Sequence, residues 1–215
     1  MNIDLVNRNF RAMVDDAFIV INQVIVYVLI SRILRHYFRA DRNRPASIYG
    51  LRRGSLIVAN HQSILDPFII LAHLPFRSFL NVIPVRFPTS HAYYSKLSFL
   101  AGVGAYDIGA DKRERMLGLF RTRKYLIDGK SVMLFPEGKI SPSRSVGMSE
   151  FQEGITFLTD VARRSVFVRM DGFHQSEWLK IWSARRSMAF SEVQSFQGEA
   201  KDARTLRECM ERLSL

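Results

Sequence analysis

The stretch of sequence that decides the fold is residues 55–67, SLIVANHQSILDP. It opens with an apolar run at residues 55–59, which has the length of a buried strand. A polar loop follows at residues 60–66, and Pro67 comes directly after Asp66. Because a proline preceded by an aspartate is typical of a helix start, a helix is predicted over residues 67–74. The stretch therefore predicts a strand, a polar loop and a helix in succession.

The rest of the chain alternates in the same way. The clearest helix is predicted at residues 111–128, because Asp111 and Glu114 have capping-box spacing and Gly129 follows as a stop signal. Other helices are predicted at residues 89–101, 153–163 and 203–213, and strands at 78–85, 105–108, 131–135 and 165–170, with a possible edge strand at 187–196. This alternation predicts an α/β fold with a mostly parallel central sheet flanked by helices.

Composition narrows the class of protein. The chain has 215 residues, enough for one full core, and carries 31 Lys and Arg against 20 Asp and Glu, a net charge of +11. Such a surface attracts phospholipid headgroups, acidic carrier proteins or nucleic acid. Cys209 is the only cysteine, and the histidines lack metal-ligand spacing, so we expect neither a disulfide framework nor a metal site.

The N-terminal region has a composition of its own. Residues 17–30 are apolar apart from Asn22 and Gln23, a run shorter than the roughly 20 residues of a membrane span. Seven arginines and one acid, Asp41, follow between residues 32 and 53. An apolar helix with a basic flank is typical of a helix lying against an anionic leaflet on its cytoplasmic side. The alternative is a core helix with a solvated basic collar. We divide the chain into a membrane-associating segment, 1–40, and a catalytic domain, 41–215.

The loop at residues 60–66 carries His61 and Asp66. If the loop folds back, a carboxylate oxygen of Asp66 can approach the imidazole of His61 and leave the other ring nitrogen free as a base. A hydroxyl group needs such a base to act as a nucleophile at neutral pH. The alternative is that Asp66 only caps the helix and His61 is an ordinary loop residue.

A second loop, residues 135–141 with the sequence FPEGKIS, follows the strand predicted at 131–135. Active sites of α/β sheets lie beyond the carboxyl ends of strands, so the two loops are expected to meet there. Glu137 can accept a hydrogen bond from a hydroxyl group, Gly138 allows close backbone approach, and Lys139 can pair with a phosphate. The alternative is a surface turn with an ion pair.

Together, Asn-His-x-x-x-x-Asp at residues 60–66 and Phe-Pro-Glu-Gly at 135–138 resemble the glycerolipid acyltransferases typified by lysophosphatidic acid acyltransferase. The resemblance covers about residues 55–172. It implies an acyl-CoA or acyl-carrier-protein donor, a lysophospholipid acceptor and no further cofactor. It also implies that His61 is the base and Asp66 its orienting partner, and that the substrate-binding residues are Asn60, Glu137, Gly138 and Lys139.

The sequence departs from this family's pattern at three places. One is the late Val-Pro-Val segment, which is Val-Phe-Val at residues 166–168 and lacks the proline. The other two are arginines. Ala110 replaces an arginine that usually contacts phosphate, and Ile140 replaces a second one. Lys139 is expected to compensate, with Lys112, Arg113 or Arg144 as weaker candidates. Residues 135–141 and 168–172 look closest to the acyltransferase half of bacterial acyl-acyl-carrier-protein synthetase, which acylates lysophosphatidylethanolamine.

The sequence thus predicts an O-acyltransferase of phospholipid biosynthesis or remodelling, associated with membrane phospholipids on the cytoplasmic face of a bacterial inner membrane. The alternative is a non-catalytic basic module, binding membranes or nucleic acid, on a decayed acyltransferase scaffold. No nucleic-acid partner is expected, because the arginines adjoin an apolar helix and no aromatic residues interleave with them in a base-stacking pattern.

Overall fold

The computed structural model describes residues 3–37, 41–43, 48, 50–141, 148–174, 186–192 and 202–213. In chain order its elements are α1 (Ile3–Tyr37), β1 (Asp41–Asn43), β2 (Ser55–Ala59), α2 (Asp66–His73), α3 (Phe76–Val82), β3 (Val85–Thr89), α4 (His91–Tyr94), a 3₁₀ helix (Ser98–Val103), β4 (Ala105–Asp107), α5 (Lys112–Ile127), β5 (Ser131–Leu134), α6 (Gly154–Thr159), β6 (Arg164–Asp171), β7 (Ser187–Glu192) and α7 (Ala203–Glu211).

Within the described residues the strands form one seven-stranded sheet with the order β1-β7-β6-β2-β5-β3-β4. β6 and β7 are antiparallel, and the other neighbouring pairs are parallel. β2 lies at the centre, where Ile57 is opposite Met133 on one side and Val166 on the other. The predicted α/β fold with a mostly parallel sheet flanked by helices is confirmed.

Two hydrophobic cores cover the two faces of this sheet. Because successive side chains of a strand point to opposite faces, Ile57 and Ala59 of β2 pack in the core that contains α1, α2 and α3. Leu56 and Val58 pack in the core that contains α5, α6 and α7. All five residues of β2 are buried, as expected of a strand covered on both faces. Four of them are apolar, and the hydroxyl group of Ser55 donates to Arg52 O.

The polar residues within α1 attach this helix to the rest of the domain. The Gln23 side chain donates to the carbonyl oxygens of Val85 (2.7 Å) and Val103 (2.9 Å), and it accepts from Val85 N (3.0 Å). Asp16 forms ion pairs with Arg86 and Lys130. Burial raises the pKa of Asp16, but the two cations outweigh that effect, and the pKa lies below its usual value.

The opposite side of α1 is apolar and exposed. The helix extends well beyond the apolar run at residues 17–30. By length and composition its segment Ala12–Leu29 is long and apolar enough to cross a membrane, which corrects the shorter length inferred from the sequence. The exposed apolar side chains of this helix include Met13, Val14, Phe18, Ile21, Ile25, Val28, Leu29 and Ile33. Membrane association through this face is consistent with the composition of the segment.

Several element predictions need correction. The strand predicted at residues 78–85 is the helix α3, because Ser78, Phe79 and Val82 bury one helical face; the strand begins only at Val85. The helix predicted at 89–101 is divided into α4 and the 3₁₀ helix. The helix predicted at 153–163 ends at Thr159. β7 is not an edge strand, because β1 pairs outside it.

Candidate active site

The candidate site lies at the carboxyl edge of the sheet, formed by the carboxyl ends of β2, β5, β3 and β4. A cleft of about 700 Å³ opens there. Both loops singled out in the sequence reach it, since His61 and Lys139 line the cleft. Apolar side chains, among them Phe68, Phe87, Leu100, Met116, Leu119 and Ile155, form most of its wall.

His61 and Asp66 are in direct contact, as the sequence predicts. The distance between His61 Nδ1 and Asp66 Oδ2 is 2.9 Å. The Asp66 side chain is 0% exposed, whereas that of His61 is 19% exposed. The loop therefore holds the acid inside the protein and leaves the imidazole at the cleft.

Asp66 is surrounded by hydrogen-bond donors. Its Oδ2 atom accepts from the backbone amides of Gln62 (2.6 Å) and Ser63 (2.8 Å), and its Oδ1 atom accepts from Ser63 Oγ (2.6 Å). A carboxylate so surrounded is an acceptor toward His61, so His61 Nδ1 carries the hydrogen. This assignment leaves Nε2 as the acceptor of a neutral imidazole. Asp66 is the first residue of α2, yet its carboxylate binds the preceding loop rather than capping the helix.

Asn60 and Gln62 attach this loop to β6. The Asn60 amide donates to Met170 O (2.9 Å) and accepts from Met170 N (2.7 Å). Gln62 donates to the same carbonyl oxygen at 2.8 Å and accepts from Phe173 N at 2.9 Å. Both side chains are buried. The amide of Asn60, predicted as a substrate-binding residue, is thus bonded to the neighbouring strand.

Glu137 connects the second loop to the first. Its Oε1 atom accepts from His61 N (2.9 Å), and its Oε2 atom accepts from Ser149 N (2.7 Å). Ser141 N in turn donates to His61 O at 2.7 Å. Glu137 is buried, so it does not lie in a surface turn. Burial raises the pKa of Glu137, and the hydrogen bonds from His61 and Ser149 offset only part of that rise.

Gly138 and Lys139 follow at the cleft surface. Gly138 has a φ of +65°, which disfavours any larger residue. A Cβ atom there would meet only the terminal amide of the exposed Gln152 side chain, which can move aside. Lys139 is exposed and lines the cleft.

Cationic side chains missed in the sequence also line the cleft. Arg115, in the first turns of α5, is one of them, and it shares the wall with Ala110. Of the weaker candidates, Lys112 and Arg113 are not lining residues, and Arg144 lies outside the described residues. The sequence could have indicated Arg115, because it follows the cap residue Asp111 by one helical turn, at the end of the helix that meets the carboxyl edge of the sheet.

A second histidine–aspartate pair lies on the same edge. His91 Nδ1 is 2.7 Å from Asp107 Oδ2, and His91 lines the cleft. The two residues follow β3 and end β4. In the sequence, His91 lacks metal-ligand spacing, like the other histidines, and its pairing with Asp107 was not predicted. In the described part of the chain, no group of three or more His, Cys, Asp or Glu residues has the arrangement of a metal site.

Comparisons with known proteins agree with this architecture. The fold is similar to the crystal structure of the 1-acyl-sn-glycerophosphate (LPA) acyltransferase PlsC from Thermotoga maritima, with a TM-score of 0.55. The match covers 95% of this chain and 96% of that one at 14% sequence identity, a level that supports likeness of fold. No curated protein sequence matches the chain. A family model described as Acyltransferase matches residues 35–168, which is more than half of the chain. The protein therefore belongs to the acyltransferase family and is an enzyme of that class.

Proposed function

We propose that the protein transfers a fatty acyl group from a thioester donor, acyl-CoA or acyl-carrier protein, to the hydroxyl group of a lysophospholipid. The observation that carries the proposal is the His61 imidazole, which is oriented by the fully buried Asp66 and opens on a cleft of about 700 Å³. A neutral imidazole with a free Nε2 atom is a suitable base for a hydroxyl group.

In the proposed reaction, His61 Nε2 takes the proton of the acceptor hydroxyl as its oxygen attacks the thioester carbonyl carbon. The new C–O bond forms, the tetrahedral intermediate collapses, and the C–S bond breaks. The thiolate leaves and takes up the proton that His61 carries. Asp66 holds the imidazole and stabilises its charged form during the reaction. The transfer is direct and consumes no cofactor.

The walls of the cleft fit an acyl chain with a polar end. Its apolar lining can bury a hydrocarbon chain, at about 0.8 kcal/mol for each CH₂ group removed from water. Lys139 lines the same cleft as His61 and is a proposed partner of the acceptor phosphate. As an ammonium on a flexible stem, Lys139 offers a point charge that tolerates a bulky phosphodiester headgroup.

Asn60 and Glu137 have a positioning role in this proposal. Their polar atoms bind backbone groups of Met170, His61 and Ser149, so they fix the loop that carries the base. Gly138 supplies the positive φ of +65° that this loop requires beside Glu137.

The enzyme is proposed to work on the cytoplasmic face of a bacterial inner membrane, with the exposed apolar face of α1 in contact with lipid. Deleting α1 would leave the carbonyl oxygens of Val85 and Val103 without their hydrogen bonds from Gln23, which could disturb the fold. Single substitutions on the exposed face are therefore a better test. Phe18→Asp should weaken binding to anionic vesicles. Phe120→Asp, at a similarly exposed position of α5 on the opposite face of the sheet, is the control and should not. Equal vesicle binding by both variants would contradict this orientation.

The activity is tested by incubating the purified enzyme with an acyl thioester and detergent-solubilised lysophospholipid, then measuring released thiol and acylated lipid. We expect the two products in equal amounts, and only with donor and acceptor both present. Thiol release with free fatty acid would indicate a hydrolase, and the absence of any release would indicate a non-catalytic module. Either result contradicts the proposal.

A further inference from the structure

The charge of the cleft wall has one sign. Among the described residues that line the cleft, the basic side chains are His61, His91, Arg115 and Lys139, and no Asp or Glu is among them. His61 belongs to the proposed reaction centre and Lys139 lies in the neighbouring loop. His91 and Arg115 are therefore basic side chains of the cleft wall that have no assigned role.

The two histidines occupy related places on the sheet. His61 follows β2 and His91 follows β3, and β5 lies between these strands. Strands β2 and β3 are therefore two strand spacings apart, or about 10 Å. A ligand between the two imidazoles would form a hydrogen bond of about 3 Å at each end. The ligand itself would then be of the size of a short polyol phosphate.

His91 and Arg115 are both oriented by neighbouring groups. Asp107 Oδ2 lies 2.7 Å from His91 Nδ1, and Asp107 Oδ1 accepts from Gly109 N at 2.7 Å, so the carboxylate itself is fixed. His91 Nδ1 is thereby occupied and Nε2 is available to a ligand. Arg115 Nε donates to Asp111 O at 3.2 Å, which leaves the terminal nitrogens of the guanidinium for other partners.

We propose that His91 and Arg115 form a phosphate subsite, which binds a phosphate ester of one of the two substrates. This inference rests on the proposed acyl transfer, because it names the residues that bind a substrate group away from the reacting hydroxyl. The geometry favours the phosphate of the lysophospholipid, whose hydroxyl group is the one next to His61. Asp107 is a positioning residue, since it acts through the imidazole of His91.

The charged groups around His91 determine how the subsite responds to pH. Asp107 at the end of β4 contacts His91 directly, and Glu114 of α5 is close enough to act on its charge. Arg121 donates to the carbonyl oxygen of Asp107, and Arg115 of α5 lines the same cleft. The 3₁₀ helix beside α4 has no titratable side chain. The hydrogen bond to Asp107, followed by the charges of Asp107 and Glu114, raises the pKa of His91. Phosphate binding is therefore strongest below that pKa and weakens as pH rises through it.

The test measures kcat and both Michaelis constants across pH for the wild type, His91→Gln, Arg115→Gln and Asp107→Asn. The control is Arg113→Gln, an exposed arginine of α5 that does not line the cleft. We expect His91→Gln and Arg115→Gln each to raise one KM roughly three- to tenfold while kcat is kept. In His91→Gln that KM should lose its pH dependence, and in Asp107→Asn its midpoint should move to lower pH.

The pattern of Michaelis constants identifies the substrate that carries the phosphate. A rise confined to the acceptor KM assigns the lysophospholipid phosphate, and a rise confined to the donor KM assigns a phosphate of the thioester carrier. Unchanged constants in both variants would overturn the subsite, as would an equal rise in Arg113→Gln.

A binding measurement separates this inference from the proposed reaction. In the His61→Ala protein, the imidazole signal of His91 is titrated by NMR with and without inorganic phosphate, and His91→Gln identifies the signal. Phosphate bound at the subsite should raise the pKa of His91, because it stabilises the charged imidazole. The Arg115→Gln change should reduce that rise. An unaltered titration would overturn the subsite whether or not the wild type transfers acyl groups.

Discussion

The carboxyl edge carries two histidine–aspartate pairs that have similar contacts and different surroundings. In the first, Asp66 is 0% exposed and His61 is 19% exposed; in the second, Asp107 is 28% exposed and His91 is 54% exposed. The buried aspartate accepts hydrogen bonds from Gln62 and Ser63 as well as His61. Burial and these hydrogen bonds fix the orientation of the His61 imidazole. The His91 imidazole is exposed, so it stays hydrated and can hold a charge. The same residue types thus suit a base in one place and an anion contact in the other.

The position of each strand explains this difference. β2 is the central strand of the sheet, so the loop after it is covered by β5, β6 and α2. β4 is an edge strand of three residues, and its end is open to solvent on one side. Buried polar groups must be fully hydrogen-bonded, which the first pair achieves with backbone amides. The second pair is under no such requirement.

The largest difference between the pairs is expected for the aspartates. Asp66→Asn should reduce kcat by about 10²- to 10⁴-fold, because the amide no longer holds the reactive tautomer of His61. It should also lower the free energy of unfolding by about 1–3 kcal/mol, since an NH₂ group would face the backbone donors. Asp107→Asn should change kcat by less than about threefold. Turnover at saturating substrate and thermal melts measure both effects, and equal losses of kcat would remove the distinction.

A smaller effect is expected for Glu137→Gln. Glu137 binds the backbone of His61, so this change affects the buried His61–Asp66 pair and not the exposed His91–Asp107 pair. The glutamine has one oxygen for the two backbone amides of His61 and Ser149, so the loop that carries His61 loses a hydrogen bond. We expect kcat to fall roughly tenfold, with acceptor KM nearly unchanged. Steady-state kinetics decide the role of this carboxylate, because a residue that binds the acceptor would raise KM instead.

Gly138→Ala tests the backbone conformation of the same loop, and Gly129→Ala is its matched control. Both glycines have positive φ, +65° and +77°, so alanine should destabilise each by about 1–2 kcal/mol. Of the two, only Gly138 lines the cleft, where it follows the Glu137 carboxylate that binds His61 N. We expect similar melting temperatures and a severalfold lower kcat/KM for Gly138→Ala alone. Equal kcat/KM values would show that the backbone conformation at Gly138 does not affect the site.

The smallest effect is expected for Lys139→Ala, an exposed side chain like His91. Loss of one solvated charge should raise acceptor KM by about two- to fivefold without altering kcat. The wild type should prefer lysophospholipids that carry a headgroup over lysophosphatidic acid, because the ammonium of Lys139 on its flexible stem can accommodate a bulky phosphodiester. Competition between the two acceptors measures this preference. The reverse preference would contradict it, and an unaltered KM would remove Lys139 from phosphate recognition.

Local sequence signals predicted the parts of the fold and site that depend on near neighbours. The strand at 55–59, the helix at 111–128 and the contact of His61 with Asp66 all follow from residues within one segment. α3 was predicted as a strand because a short apolar run has no decisive period. β1, Asp41–Asn43, is too short and polar to give a strand signal.

The contacts that the sequence did not predict join distant segments. Asn60 binds Met170, and Glu137 binds the amide of His61, through tertiary pairings that no local pattern encodes. The same holds for His91 and Asp107, which lie on separate strands. Active sites of α/β sheets lie beyond the carboxyl ends of strands, which places these residues near the cleft. Their hydrogen-bond partners, however, depend on the order of the strands in the sheet.

The most direct test of the account compares His61→Ala with His91→Ala in one assay of thiol release at saturating donor and acceptor. Both imidazoles line the same cleft, so a general effect of removing a histidine cancels in the comparison. We expect His61→Ala to lose turnover by at least about a hundredfold while remaining folded, and His91→Ala to keep kcat close to wild type. Undiminished turnover in folded His61→Ala, or a greater loss of kcat in His91→Ala, would contradict the assignment of His61 as the base.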